Sequence, residues 1–116
     1  MKLLNLTGHL VQIETKINGD KVVIPLQPDG PEVRVGLERT STYIEGLLVE
    51  DIREGVIDGL PPFEEGTIII ASSLSTEYAN KKLNRLDVMA PATGRRMSYK
   101  DKNGNLVVKS LRRFLE

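Results

Sequence analysis

The chain has no cysteine, which removes a disulfide framework, a thiolate nucleophile and any cysteine-ligated zinc or iron–sulfur centre. It has one histidine, His9, so a single chain cannot build a multi-histidine metal site, and no Ser-His-Asp order can be inferred. Net charge is absent too. Sixteen Lys and Arg balance sixteen Asp and Glu, leaving no long-range field to draw nucleic acid, an anionic membrane or an acidic partner. Aromatic residues make up 4% of the chain, too few for a base-stacking platform, so nucleic acid is not an expected partner. No apolar run approaches the roughly 18 residues of a membrane helix. Met1-Lys2-Leu3-Leu4 gives way at once to Asn5 and Thr7, without the apolar segment of a signal peptide. The expectation is a cytoplasmic protein with no membrane association, no cofactor and no metal. A Gly-rich phosphate loop ending in Lys-Ser or Lys-Thr is missing, as is Gly-x-Gly-x-x-Gly, which disfavours the standard mononucleotide and dinucleotide sites.

What is present reads as one domain over 1–116, with no internal repeat, low-complexity tract or composition break. Asn18-Gly19 and Asn103-Gly104 both tolerate positive φ and suit the tight turn between antiparallel strands. The first should join Val11–Ile17 to Lys21–Leu26. The second should join a strand near Met97–Lys100 to a final strand near Leu106–Phe114, with Leu106, Val108 and Phe114 on one face. Pro28-Asp29-Gly30-Pro31 is a turn, after which Val33, Val35 and Leu37 alternate with Glu32, Arg34 and Glu38 as in a half-buried strand. Tyr43-Ile44-Glu45-Gly46 before Leu47-Leu48-Val49 suggests a hairpin turning near Gly46. A helix over Leu47–Arg53 competes, but Gly55, Gly59 and the β-branched Val49, Ile52, Val56 and Ile57 favour strand. Only Leu74 to about Asn84 reads as helix, with Leu74, Tyr78, Ala79 and Leu83 as its apolar stripe and Ser73 as N-cap. The predicted class is α+β: mostly antiparallel hairpins with one strand–helix–strand unit over residues 67–90, closed by a strand Asp87–Ala90 ending at Pro91.

The junction Thr67-Ile68-Ile69-Ile70-Ala71-Ser72-Ser73 is the first candidate for ligand chemistry. A strand buried on both faces runs into a helix start, where free backbone N–H groups and a partial positive charge favour anions. Ordinary helix capping is the plainer reading of the same serines. Asn5-Leu6-Thr7-Gly8-His9 offers an imidazole suited to acid–base work, against an alternative in which Asn5 and Thr7 only make turn bonds and His9 satisfies a backbone carbonyl. Arg85 and Asp87 offer a guanidinium able to grip an anion with Asp87 orienting it, or an ion pair that fixes the turn. Arg95-Arg96 and Arg112-Arg113 read as a solvated basic face.

These segments together resemble a family of small proteins of unknown function common in phage, prophage and bacterial genomes, which open with Asn-Leu-Thr-Pro-His. The likeness runs from Asn5-Leu6-Thr7-Gly8-His9 through Gly59-Leu60-Pro61, Glu65-Gly66-Thr67-Ile68-Ile69-Ile70, Ser72-Ser73-Leu74, Arg85-x-Asp87 and Pro91 to Asp101-Lys102-Asn103-Gly104. It covers nearly the whole chain. Gly8 stands where the family has Pro, which loosens that turn. The resemblance transfers no activity; it implies that His9, Ser72, Ser73, Arg85, Asp87 and Pro91 matter together and would converge on one polar pocket.

Three functions follow as expectations. The first is a non-enzymatic module of phage or mobile-element type holding a small anionic ligand, such as a nucleotide, through His9, Ser72, Ser73, Arg85 and Asp87. The second is an interaction or structural module whose exposed hairpins contact a host or virion protein, or a homo-oligomer. The third, a hydrolase or lyase using His9 with Arg85 or Asp87, ranks last for want of a recognisable nucleophile.

Overall fold

Turn chemistry divides the molecule. A computed structural model describes residues 1–94 and 96–115. Its elements are β1 (Lys2–Asn5), β2 (Val11–Ile17), β3 (Asp20–Leu26), β4 (Arg34–Ile44), β5 (Leu47–Asp58), β6 (Thr67–Ile70), α1 (Ser73–Lys82), β7 (Val88–Pro91), β8 (Ser98–Lys100), β9 (Leu106–Val108) and β10 (Leu111–Arg112). The class is α+β, dominated by strands. Arg95 lies outside the described residues, so nothing follows for the Arg95-Arg96 pair.

Asn18 and Gly19 both take positive φ, and the turn they make pairs Ile17 with Asp20 as β2 meets β3. Glu45 and Gly46 do the same between β4 and β5, where Ile44 faces Leu47. The longest pairings in the molecule are therefore closed locally. Parallel pairings complete the sheets: β1 with β6, β6 with β7, and β2 with β9. The result is one sheet in the order β1-β6-β7-β10, a second in the order β3-β2-β9-β8, and β4 and β5 alone as a two-stranded ribbon. The expected final strand is broken. It ends at Val108, crosses at Lys109-Ser110 and resumes as β10 against β7, with Ala92 N donating to Ser110 O. Leu106 is exposed while Val107 and Val108 are buried, and Phe114 falls beyond the strand, where its N–H donates to Asn80 Oδ1. Leu106 and Val108 do share a face of β9, but Phe114 does not join them because the chain changes sheets.

The core lies where α1 covers the first sheet, and unites Leu6, Val33, Ile69, Ala71, Ala79 and Val88. Ile69 and Ile70, adjacent and so on opposite faces of β6, are both buried, as a continuous apolar run demands. Each contributes roughly 1.5–3 kcal/mol of burial. The helix corrects its expected stripe. It buries Ser75, Thr76, Ala79 and Asn80, while Leu74 and Leu83 are exposed. Small side chains let the helix approach closely, and their polar atoms are satisfied on arrival. Ser75 Oγ donates to Val33 O at 3.0 Å, Thr76 Oγ1 to Ala71 O at 3.3 Å, and Asn80 Nδ2 to Arg85 O and Val88 O. Ser75→Ala should therefore cost about 1–2 kcal/mol in urea unfolding, because Val33 O stays buried without its donor. A cost below a few tenths would show that the hydroxyl adds nothing.

Candidate functional site

The amino-terminal motif is a turn built around one side chain. Asn5 is wholly buried; its Nδ2 donates to His9 O at 2.8 Å and Leu26 O at 2.7 Å, and its Oδ1 accepts from Thr7 N at 3.1 Å and Thr7 Oγ1 at 2.6 Å. Its backbone is engaged as well. Asn5 N donates to Asp29 Oδ2 and Asn5 O accepts from Asp29 N, which binds the Pro28-Asp29-Gly30-Pro31 turn to the end of β1. Gly8 stands at φ 85, a conformation closed to proline. An Asn-Leu-Thr-Pro-His segment must therefore trace this turn differently. His9 is exposed, and its Nδ1 lies 3.0 Å from Leu10 O, the carbonyl that an Nδ1–H would satisfy.

At the other side of the same sheet end, Ser72 rather than Ser73 is the N-cap of α1. With φ −61 and ψ 162, its Oγ accepts from Ser75 N at 3.3 Å and lies 3.1 Å from Ser75 Oγ, so that hydroxyl is committed to the helix. Ser73 is the first helical residue and is exposed.

Because β1, β6 and β7 run parallel, the residues that follow them gather at one edge. There Thr7, His9, Ser72, Ser73 and Pro91 line a cavity of about 460 Å³, together with Leu10, Val11 and Gln12 from the start of β2 and Leu106 and Val108 from β9. Thr93 and Asn105 complete the wall. Among the described residues, no carboxylate and no lysine or arginine belongs to it. Arg112 stands at its border, where Nη2 donates to Thr93 O at 3.3 Å.

Arg85 and Asp87 do not join this group. They precede β7, so the length of that strand, on the order of 10 Å, separates them from the edge that Pro91 occupies. They grip each other instead: Nε to Oδ1 and Nη2 to Oδ2, both at 2.9 Å, with Nη2 also donating to Pro61 O at 3.0 Å. The guanidinium beside it holds the Asp87 carboxyl below its ordinary range against the opposing pull of burial. The expected convergence of six groups is thus corrected. His9, Ser72, Ser73 and Pro91 meet at one cavity, while Arg85 and Asp87 fix the return turn between α1 and β7.

Two features lacked a local signal. Glu14 Oε1 accepts from Tyr99 OH at 2.8 Å and pairs with Lys21 Nζ at 3.1 Å, which holds its carboxyl below the usual range, Tyr99 being the larger cause. Lys21 and Lys109 both stand over the Tyr99 ring, at 5.2 and 5.8 Å. This cluster staples β3, β2, β9 and β8 across one face. The second is Asn80, which holds the carbonyls after α1 and the approach of the final segment. No group of three or more potential metal ligands occurs among the described residues, and none of their helices is long and apolar enough to cross a membrane. No family model, curated protein or solved structure matches the chain.

Proposed function

We propose that the protein is a non-catalytic interaction module working through the β4–β5 ribbon, and the observation that supports this is the exposure of the ribbon's distal half. Near its base, Gly36 and Gly55 meet at a break in register so tight that a Cβ at Gly55 would stand 2.8 Å from Gly36 O. Arg53 and Glu54 then share a hollow with Glu77, Tyr78, Lys81 and Lys82 of α1. Beyond them the ribbon continues for about 20 Å as two strands with both edges open. There Tyr43 is 75% exposed, Leu47 71%, Leu48 63% and Ile44 57%. A two-stranded ribbon alone in water is marginal, and four adjacent large apolar side chains at its end are a concentration of apolar surface that marks binding sites.

The ribbon's charge describes what it fits. Glu38, Glu45, Glu50, Asp51, Glu54 and Asp58 outnumber Arg34, Arg39 and Arg53, so the ribbon carries −3 and the remainder of a neutral chain +3. The matching partner is a protein surface with an apolar hollow and a basic border. Burying the four tip side chains offers on the order of 6–12 kcal/mol gross. Association costs of comparable size offset most of it, so a weak, salt-sensitive complex results. A photoreactive amino acid replacing Tyr43 in cells that make the protein should give covalent protein adducts on irradiation. Adduct-free protein at every level of expression would sink the reading.

A second reading, a small-ligand site, draws support from the cavity of about 460 Å³, a size typical of ligand pockets. Without Arg85 the anion-binding groups there shrink to the α1 amides and His9, so the ligand favoured is a small neutral or singly anionic molecule with an apolar part. A thermal-shift panel of nucleotides and small carboxylates tests it, with Leu106→Glu as the control that should abolish any shift. A flat panel for the wild-type chain would end this reading.

A further inference from the structure

We infer that the ribbon tip of one copy docks in the cavity at the His9–Leu106 edge of a second copy of this chain. The inference rests on the interaction reading above and names its partner. The partner surface that the tip requires is present on the chain itself. Leu10, Val11, Leu106 and Val108 give the cavity an apolar wall, and none of the described residues that line it is acidic. Arg112 stands at its border. The segment 96–113 that supplies part of this wall carries Arg96, Lys100, Lys102, Lys109, Arg112 and Arg113 against the single carboxylate of Asp101, with Lys109 turned to the opposite face of β9 over the Tyr99 ring. That carboxylate is occupied by Asn103 N, Asn105 N and Gln12 Nε2. Glu45, at the turn of the tip between Ile44 and Leu47, would meet Arg112 at this border, and Glu50 and Asp51 would follow it in.

Charge decides between this arrangement and a pairing of two ribbons along their open edges. Edge pairing sets two elements of −3 side by side, whereas tip-to-cavity docking sets an element of −3 against a body whose total charge is +3. Shape agrees. The molecule measures 64 Å along its longest axis and 34 and 27 Å across, so the tip stands well clear of its own body. The contact joins two different surfaces, and reciprocal exchange of ribbons closes it into a dimer with two such contacts.

Sedimentation of the purified full chain over a range of concentrations tests this at about 0.05 M and about 0.5 M salt, where the screening length falls from about 14 to about 4 Å. The wild type should dimerise, with a dissociation constant at least threefold higher in the stronger salt. Leu47→Glu on the tip and Leu106→Glu at the cavity each replace an exposed side chain, so both variants should keep the wild-type circular dichroism and sediment as monomers. Mixed in equal amounts they should associate again, more weakly than wild type, because an intact tip on one meets an intact cavity on the other. A wild type monomeric throughout overturns the inference; so does a Leu106→Glu variant that dimerises like wild type, or a mixture that stays monomeric. If the wild type is monomeric while the Tyr43 photoadduct contains a different protein, this inference fails and the interaction reading survives. If adducts are missing as well, both fail.

Discussion

Replacing Asn5 by leucine should lower the stability of the folded chain by about 4 kcal/mol, a large share of the 5–15 kcal/mol typical of a domain this size. The two side chains are similar in size, so the effect is polar rather than steric. Leucine removes the donors to His9 O and Leu26 O and the acceptor for Thr7 N and Thr7 Oγ1. Each buried group left without a partner costs about 1–3 kcal/mol, and water reaching the partly buried carbonyls of His9 and Leu26 recovers part of the total. Asn5→Asp separates hydrogen bonding from shape. It keeps the acceptor, loses both donations and places a carboxylate against two carbonyl oxygens, so it should be about as damaging at neutral pH. Urea unfolding of both variants measures this, and an aspartate variant within about 1 kcal/mol of wild type would show that Asn5 is not what holds the turn.

Asp87→Ala should cost about 3 kcal/mol and should also change the response to acid. The Asp87 side chain is 7% exposed and that of Arg85 19%, so the pair is largely buried and loss of the carboxylate leaves the guanidinium with Pro61 O as its acceptor among the described residues. Complete burial would place the loss at about 3–5 kcal/mol, and the partial exposure of Arg85 puts it at the lower end. The sign with pH follows from the lowered Asp87 pKa. The unfolded carboxyl titrates near 3.8, the folded one below it, so the pair's contribution is complete above that value and disappears as pH falls through the folded pKa. Wild type should lose stability steeply below about pH 4, and Asp87→Ala should lose less over the same window. Equal slopes for the two proteins would mean that other carboxylates dominate acid unfolding.

What could be read from the sequence was what is decided locally. Asn18-Gly19 and Glu45-Gly46 specify backbone shapes within a few residues, and the strands beside them follow; Asn103-Gly104 instead lies in a five-residue loop held by the Asp101 carboxylate, with positive φ at Gly104 and not at Asn103. The parallel neighbours β1 and β6, or β2 and β9, are joined by no turn, so no short segment announces them. The packing face of α1 was misleading for a related reason. Leu74, Tyr78 and Leu83 satisfy an amphipathic spacing, yet Ser75, Thr76 and Asn80 win the buried face because a hydroxyl or amide donates to a carbonyl there. In the candidate site, Asn5, Thr7 and His9 stand together in the sequence as hydrogen-bonding groups within five residues, so their turn is legible there. Arg85 and Asp87 were visible as a pair. Their distance from His9 depends on which end of β7 they occupy, which the chain order settles only once the direction of β1, β6 and β7 is known.

The β4–β5 ribbon also constrains how such a protein can vary. Its two ends stand side by side, since a side-chain carbon at Gly59 would lie 3.8 Å from Val33 Cα, so a shorter or longer ribbon could be exchanged for this one with the body undisturbed. Side chains alternate between the faces of a strand, and an odd insertion would reverse every outward group beyond it. Reach can therefore change only in even steps, two residues in each strand and about 7 Å at a time, which makes the ribbon a graduated spacer between the body and whatever its tip engages.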